Sequence, residues 1–272
     1  MKKTFSQRIK EAFKKDRAVF IIYIVLRLIV IGVGIRQFFN KDYQGVFYCL
    51  LTLVLFMLPS FVEHKFKVEL PTGLEITVLA FIFAAEILGE IACYYLTVPH
   101  WDTMLHMVNG FVCAAIGFSL VDVLNRNSKI KFSLSPVFMA VTAFCFSMTV
   151  GVLWEFFEFG GDNLLGMDMQ KDTIIHVIRS VDLNPTGQNV PVVIDNIMNV
   201  TVNGVDLGLG GYLDIGLYDT MKDLMVNFVG AVVFSFVGFF YIKKKGKGKV
   251  ARQFIPYLTK DEEKPVQEEN EQ

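Results

Sequence analysis

Charge is scarce in this chain. Asp, Glu, Lys and Arg make up 19% of its 272 residues, below the roughly 25% of ordinary soluble domains, and the net charge of −1 gives no sign of a nucleic-acid partner. Ten-residue stretches of alternating polarity are absent, which argues against a membrane β-barrel. Only four cysteines occur (Cys49, Cys93, Cys113 and Cys145), none in a Cys-x-x-Cys pair and each inside an apolar run. They read as small packing residues, not as a disulfide framework. No His-Glu-x2-His signature and no Ser or Cys nucleophile motif is present. Residues 160–218 contain seven Asp and no Glu, and the aspartates lack the spacing of an EF-hand loop.

What the chain does have is apolar length. Hydrophobic residues reach 53%, Phe alone numbers 26, and the mean hydropathy is +0.45. Six runs (18–39, 43–62, 74–98, 103–124, 134–159 and 220–242) approach or exceed the ~20 residues that carry a helix across a bilayer. Helices satisfy their own backbone polar groups, so they are the expected spanning element. The expected fold class is all-α: a polytopic membrane protein of six transmembrane helices, with a small α/β external loop between helices five and six. The first run is about twice the length of a signal-peptide core and carries Arg27 and Arg36, so it reads as a retained span.

Basic residues set the orientation. Seven Lys or Arg precede Ala18, Lys65 and Lys67 follow the second run, Arg126, Lys129 and Lys131 follow the fourth, and eight follow Ile242. Both termini are therefore expected in the cytoplasm. The expected organisation is a basic cytoplasmic leader (1–17), a six-helix membrane domain (18–242) with an external capping loop (160–218), and a charged cytoplasmic tail (243–272). In the leader, Phe5, Ile9, Ala12 and Phe13 share a helical stripe. That suits a helix lying on an anionic leaflet, or merely a charged topogenic end. The tail, basic and then acidic, is expected to be disordered. In the external loop, Asn203-Gly204 between 200–202 and 205–207 is a hairpin signal, and 173–178 reads as a short helix.

Two short stretches nearly repeat. Trp101-Asp102-Thr103-Met104 and Tyr218-Asp219-Thr220-Met221 share an aromatic-Asp-Thr-Met opening, and each has an ionisable residue four positions after the Asp: His106 and Asp223. A spacing of four puts both polar groups on one helix face. Span three adds Glu86 and Glu90, span five adds Glu155 and Glu158, and Asn109 and Asn227 follow one turn beneath His106 and Asp223. With the orientation above, all these groups fall in the outer half of the bundle. The pattern reads as two copies of a helical pair in the same orientation, a type of duplication that recurs in membrane proteins.

Seven carboxylates there face few cations: Arg27, Arg36 and Lys222. Crowded carboxylates do not all ionise, so protons or a bound cation must balance them. Carboxylates plus one imidazole on facing helices are a ligand set for divalent metals. The expected ligands are Asp102, His106, Glu155, Glu158, Asp219 and Asp223. Glu86, Glu90, Asn109, Asn227 and Arg27 stand as support, and the metal's identity is left open. The same groups equally suit a proton relay or a transported ion. Plainer roles compete. Asp102 and Asp219 are good N-caps, Trp101 and Trp154 suit an interfacial belt, and Glu86 suits a buried ion pair with Arg27. Gly110, Cys113, Ala114, Gly117 and Gly230-Ala231 suit close helix packing.

These motifs together resemble a known family. They are Asp102-x3-His106-x3-Gly110-Phe111, Trp154-Glu155-x2-Glu158, Gly166-x2-Met169-Gln170 and Asp219-Thr220-x2-Asp223-x3-Asn227-x2-Gly230-Ala231. Over roughly 74–242 the chain resembles the YjdF-like bacterial inner-membrane proteins, a family of undefined function. Gly211–Leu217 is similar to its Gram-positive members, and the Asp-x3-His pattern carries a looser likeness to VanZ-type proteins. The resemblance implies the bacterial cytoplasmic membrane and supplies no catalytic residues. Three functions stay open. One is a metal-dependent enzyme acting at the outer leaflet on a phosphorylated lipid or lipid-linked substrate. The others are a cation- or proton-linked transporter and a non-enzymatic envelope factor. The apolar inner halves of the spans argue against a full transport pathway.

Overall fold

The computed structural model describes residues 16–66, 68–126, 134–244 and 248–258. Most of the leader, the basic residues Lys129 and Lys131, and the end of the tail lie outside the described residues. The helices are α1 (Arg17–Phe39), α2 (Tyr43–Leu55), α3 (Leu58–Phe66), α4 (Thr72–Phe83), α5 (Tyr94–Thr97), α6 (Trp101–Arg126), α7 (Pro136–Leu165) and α8 (Leu217–Lys243). A π-helical segment, Ala84–Ile91, continues α4, and a 3-10 turn, Ala251–Gln253, follows α8. The strands are short: β1 (Val68–Glu69), β2 (Thr173–Ile175), β3 (Ile178–Ser180), β4 (Val192–Ile194), β5 (Thr201–Val202), β6 (Val205–Asp206), β7 (Tyr212–Asp214) and β8 (Tyr257–Leu258).

Among the described residues, five helices are long and apolar enough to cross a membrane: Arg17–Phe39, Tyr43–Lys65, Trp101–Asp122, Pro136–Leu165 and Leu217–Lys243. The third apolar run is not one of them. It is regular only as far as Phe83, widens into the π segment, and breaks at Cys93, whose φ is +56°. The sequence places apolar residues there at membrane length, but hydropathy carries no information about how the backbone winds.

Local chemistry explains the helix starts. Asp16 accepts from the amides of Ala18 (2.9 Å) and Val19 (3.2 Å) to cap α1. Asp42 accepts from Gly45 N (3.0 Å) and from the Gln37 side chain (2.7 Å), closing the turn between α1 and α2. Each such cap satisfies an amide that has no partner within the helix.

The chain forms two compact units. One comprises the described residues through Gly151 and from Val226 onward; the other is Val152–Met225. The first holds two apolar cores. Val30, Cys49, Phe56, Leu79, Ile82 and Ile87 form one. Ala114, Ala115, Phe118, Met139, Ala143, Ala231 and Phe234 form the other, joined by Ala251 and Ile255. Residues 248–258 are thus packed, against the expectation of a disordered tail. Their apolar residues Ala251, Phe254 and Ile255 lie in a stretch whose Lys-rich and Glu-rich flanks dominate its composition. β8 also pairs antiparallel with β1, Val68 opposite Leu258.

In the second unit the connection between α7 and α8 is built from strands: β2 pairs with β7, β3 with β4, and β5 with β6, all antiparallel. The hairpin at Asn203-Gly204 is present, with φ of 52° and 82° at the two residues, as a primed turn requires. The short helix expected at 173–178 is instead β2 and the start of β3. The run Thr-Ile-Ile-His-Val-Ile is rich in β-branched residues, and a sheet partner decides such a case. Among the described residues the external segment is therefore β-structured and not α/β.

Candidate functional site

α6 begins with the repeated motif and places Asp102 and His106 one turn apart. His106 Nε2 lies 3.5 Å from Asp102 Oδ1, with the imidazole buried and the carboxyl about a quarter exposed. One turn further on, the helices pack through glycine. A Cβ on Gly110 would come within 2.2 Å of the Asn227 carbonyl oxygen, and one on Gly230 within 2.1 Å of the Met107 carbonyl oxygen. α6 and α8 therefore run with their backbones in contact.

Asn227, 1% exposed, is the hub of a three-helix node. Its Oδ1 accepts from Asn109 Nδ2 at 3.4 Å, and its Nδ2 donates to the Ser147 carbonyl on α7 at 3.5 Å. Ser147 Oγ in turn donates to the Gly110 carbonyl at 2.7 Å. Gly151 leaves room for the amide, since a Cβ there would fall 2.6 Å from Asn227 Nδ2.

In the second unit the buried residues are mostly polar: Glu155, Glu158, Gln170, Asp219 and Asp223. Asp219 is tied into the architecture. Its Oδ2 accepts from Lys171 N (2.8 Å) and its Oδ1 from Lys222 Nζ (3.3 Å). Next to it, Thr220 Oγ1 accepts from Gln170 Nε2 at 2.5 Å. Asp162 completes this clasp from the end of α7, accepting from Met169 N (2.5 Å) and Gln170 N (2.9 Å). Gly166, with φ +64°, makes the turn that brings 169–171 into place. Glu158 accepts from the Trp154 indole at 2.8 Å. Lys222 Nζ also lies 3.7 Å from Asp223 Oδ1.

Asp102, His106 and Asp223 each offer one donor atom within 4.8 Å of the other two. They form an Asp/His/Asp group with His106 and Asp223 buried and Asp102 half-buried.

The remaining residues singled out from the sequence lie elsewhere. Glu86 and Glu90 are electrostatic neighbours on the π segment, with the Tyr48 hydroxyl beside Glu90. Arg27 stacks over the Tyr23 ring, 4.3 Å from its centroid, which accounts for a cation placed within an apolar helix. In the sequence Ser147 carries no signal, Asp162 and Lys171 stand only among the charges of the external segment, Thr220 only in the repeated opening, and Trp154 only as an interfacial residue. The motif Gly166-x2-Met169-Gln170 was the available signal for the clasp.

The family model described as "Predicted membrane protein (DUF2238)" matches residues 18–244. The chain thus belongs to this family of multi-pass membrane proteins of unknown function. No curated protein and no solved structure matches it.

Proposed function

We propose that this protein is a divalent-metal-dependent enzyme of the bacterial cytoplasmic membrane, acting at the outer leaflet on a phosphorylated lipid or lipid-linked substrate. The observation that carries the reading is the Asp102, His106 and Asp223 group. One imidazole and two carboxylates make a donor set that suits borderline and hard divalent cations such as Zn²⁺ or Mn²⁺. A metal held by Asp102, His106 and Asp223 would have only three protein donors, would be able to take water or a phosphoryl oxygen, and would supply Lewis acidity. Glu155 and Glu158, buried in the same helical turn of α7, are the candidate general bases.

Position supports the choice of substrate. Asp102 and His106 lie in the first two turns of α6 and Asp223 in the second turn of α8. Both helices are long enough to span the bilayer, so these turns belong at the level of lipid head groups. Helix N-termini there favour anionic groups. The distribution of basic residues supports an orientation with both termini in the cytoplasm and these turns outside. The six-span reading needs the broken third segment to complete its crossing as two stretches of helix. Such irregular backbone at membrane depth is tolerated where protein covers it.

The test is elemental analysis of the purified protein beside His106→Gln and Asp223→Asn. Stoichiometric Zn or Mn in the wild type, lost in both variants, is expected. Wild-type protein that retains no metal after purification in metal-supplemented buffer overturns the reading.

A further inference from the structure

We infer that Lys222 is a tethered cation that competes with a divalent metal for Asp223, an inference that rests on the metal reading of Asp102, His106 and Asp223 and concerns how that group is loaded.

The two copies of the opening motif differ at their centre. Leu105-His106 in α6 stands where Lys222-Asp223 stands in α8. The copy whose second polar residue is an imidazole, which can be neutral, has a leucine before it, and that leucine is 4% exposed. The copy whose second polar residue is a carboxylate has a lysine before it. Taking a carboxylate out of water is costly unless an opposite charge compensates it, and Asp223 is 1% exposed.

The geometry inside the second unit follows the same logic. Lys222 Nζ stands between two carboxylates, 3.3 Å from Asp219 Oδ1 and 3.7 Å from Asp223 Oδ1. The two partners have different duties. Asp219 is fixed by the Lys171 amide at 2.8 Å and serves the clasp, whereas Asp223 is one of three donors whose atoms lie within 4.8 Å of one another. The Asp223 carboxylate that meets the ammonium would therefore also meet the metal. Two cations drawn to one carboxylate repel each other strongly at this range, the more so where water is scarce. The lysine has room to yield. Its side chain is 46% exposed against 1% for Asp223, and its flexible stem lets the ammonium swing toward Asp219 or into water. Metal entry moves Lys222 off Asp223, and metal loss brings it back. The carboxylate keeps a counter-charge between loadings, and the metal is held less tightly than the same donors would hold it without the lysine.

The test is titration of the detergent-purified full chain with Mn²⁺ at low ionic strength, the free ion being read by electron paramagnetic resonance. Lys222→Met is expected to bind Mn²⁺ at least tenfold more tightly than wild type. Two controls are expected within threefold of wild type: Lys222→Arg, which keeps the charge, and Lys171→Met, which removes a charge from the same unit but keeps the amide that holds Asp219. Unchanged or weaker binding in a folded Lys222→Met protein overturns the inference and leaves the metal reading standing. Binding by either control as tight as by Lys222→Met also overturns it, because the ion pair would not be the cause. Binding by Lys222→Met and not by wild type supports the competition and removes the metal reading of the natural protein. Binding by neither overturns both. If Lys222→Met does not fold, acylation of Lys222 in the wild type by a water-soluble amine reagent, read by mass spectrometry, decides. A rate at least threefold higher with Mn²⁺ present supports the competition, and an equal rate with and without the ion overturns it.

Discussion

Gly230 lies against the main-chain carbonyl of Met107, so close that a Cβ would stand 2.1 Å from the oxygen, and Gly110 repays the contact against Asn227 at 2.2 Å. Neither obstacle is a side chain that can rotate away. Gly110→Ala and Gly230→Ala must each push α6 and α8 apart, and a loss of about 1–3 kcal/mol or more is expected for such overpacking. Gly32→Ala is the control, because nothing lies within 4 Å of that position. Unfolding in detergent with increasing SDS should show the first two weakened and the third unchanged.

The Asn227 node makes a different prediction. Its amide joins α8 to both α6 and α7, one turn below Asp223. Asn227→Leu keeps the forked shape at a larger volume but removes the bonds, and it leaves Asn109 and the Ser147 carbonyl without this partner. Interhelical polar contacts in membranes contribute roughly 0.6–1.7 kcal/mol, so a modest drop in SDS resistance is expected. If the node also sets the register of α8, metal retention should fall by more than the stability loss accounts for. Titrating Co²⁺ and following its absorption spectrum separates the two effects.

How far the sequence could be read depended on the kind of signal. Spans one, two, four, five and six were legible because a long apolar run bounded by polar residues has few alternatives. That α6 and α8 each carry a close-packing face was legible from Gly110 and Gly230; that the two faces meet each other was not. The π segment was not, since Ala84–Ile91 has ordinary helix-forming composition, and nothing local in it announces the close approach of Gly89 to the Tyr95 ring. The docked tail was hidden by its own flanks: three apolar anchors count for little in a 30-residue window full of charge. For the site, spacing singled out six residues, of which Asp102, His106 and Asp223 lie together. It could not tell ligand from clasp at Asp219, because that distinction depends on where residue 171 travels.

That distinction can be tested by mutation. Asp219 accepts the Lys171 amide and the Lys222 ammonium, whereas Asp223 belongs to the Asp/His/Asp group. Asp219→Ala is expected to release the 166–171 segment, seen as at least tenfold faster protease cleavage there, with metal content within twofold of wild type. Asp223→Asn should do the reverse. If Asp219→Ala empties the metal as completely as Asp223→Asn, Asp219 is a ligand and not only a clasp.

Orientation is open to a direct check. The basic clusters beside the spans predict that a reporter fused after Lys131 and one inserted within 185–191 sit on opposite sides of the membrane, the first in the cytoplasm. Paired alkaline phosphatase and fluorescent-protein fusions at both sites give opposite signals if this holds. Matching signals would mean that α7 does not cross the membrane, and the outer-leaflet proposal would fall with it.

Acidity should strengthen the strand-built unit. Partial burial, and then the neighbouring carboxylates Asp168, Asp214 and Asp162, raise the pKa of Asp172 above its usual range, with Lys171 opposing. The β2–β7 register sets Thr173 opposite Asp214 and so brings these charges near one another. A carboxyl whose folded pKa lies above its unfolded value of about 3.9 binds its proton more tightly when folded. Its stabilising contribution is full below the unfolded value and is lost as pH rises through the folded one. Asp172→Asn removes the repulsion at neutral pH. The variant should therefore melt slightly higher than wild type at pH 7, and the gap should close as the pH falls toward 4. Asp172 is mostly solvent-exposed and screening is strong there, so the effect is small and should shrink further in high salt. A melting difference that is the same at pH 7 and pH 4 would mean that the charge on Asp172 does not matter to this unit.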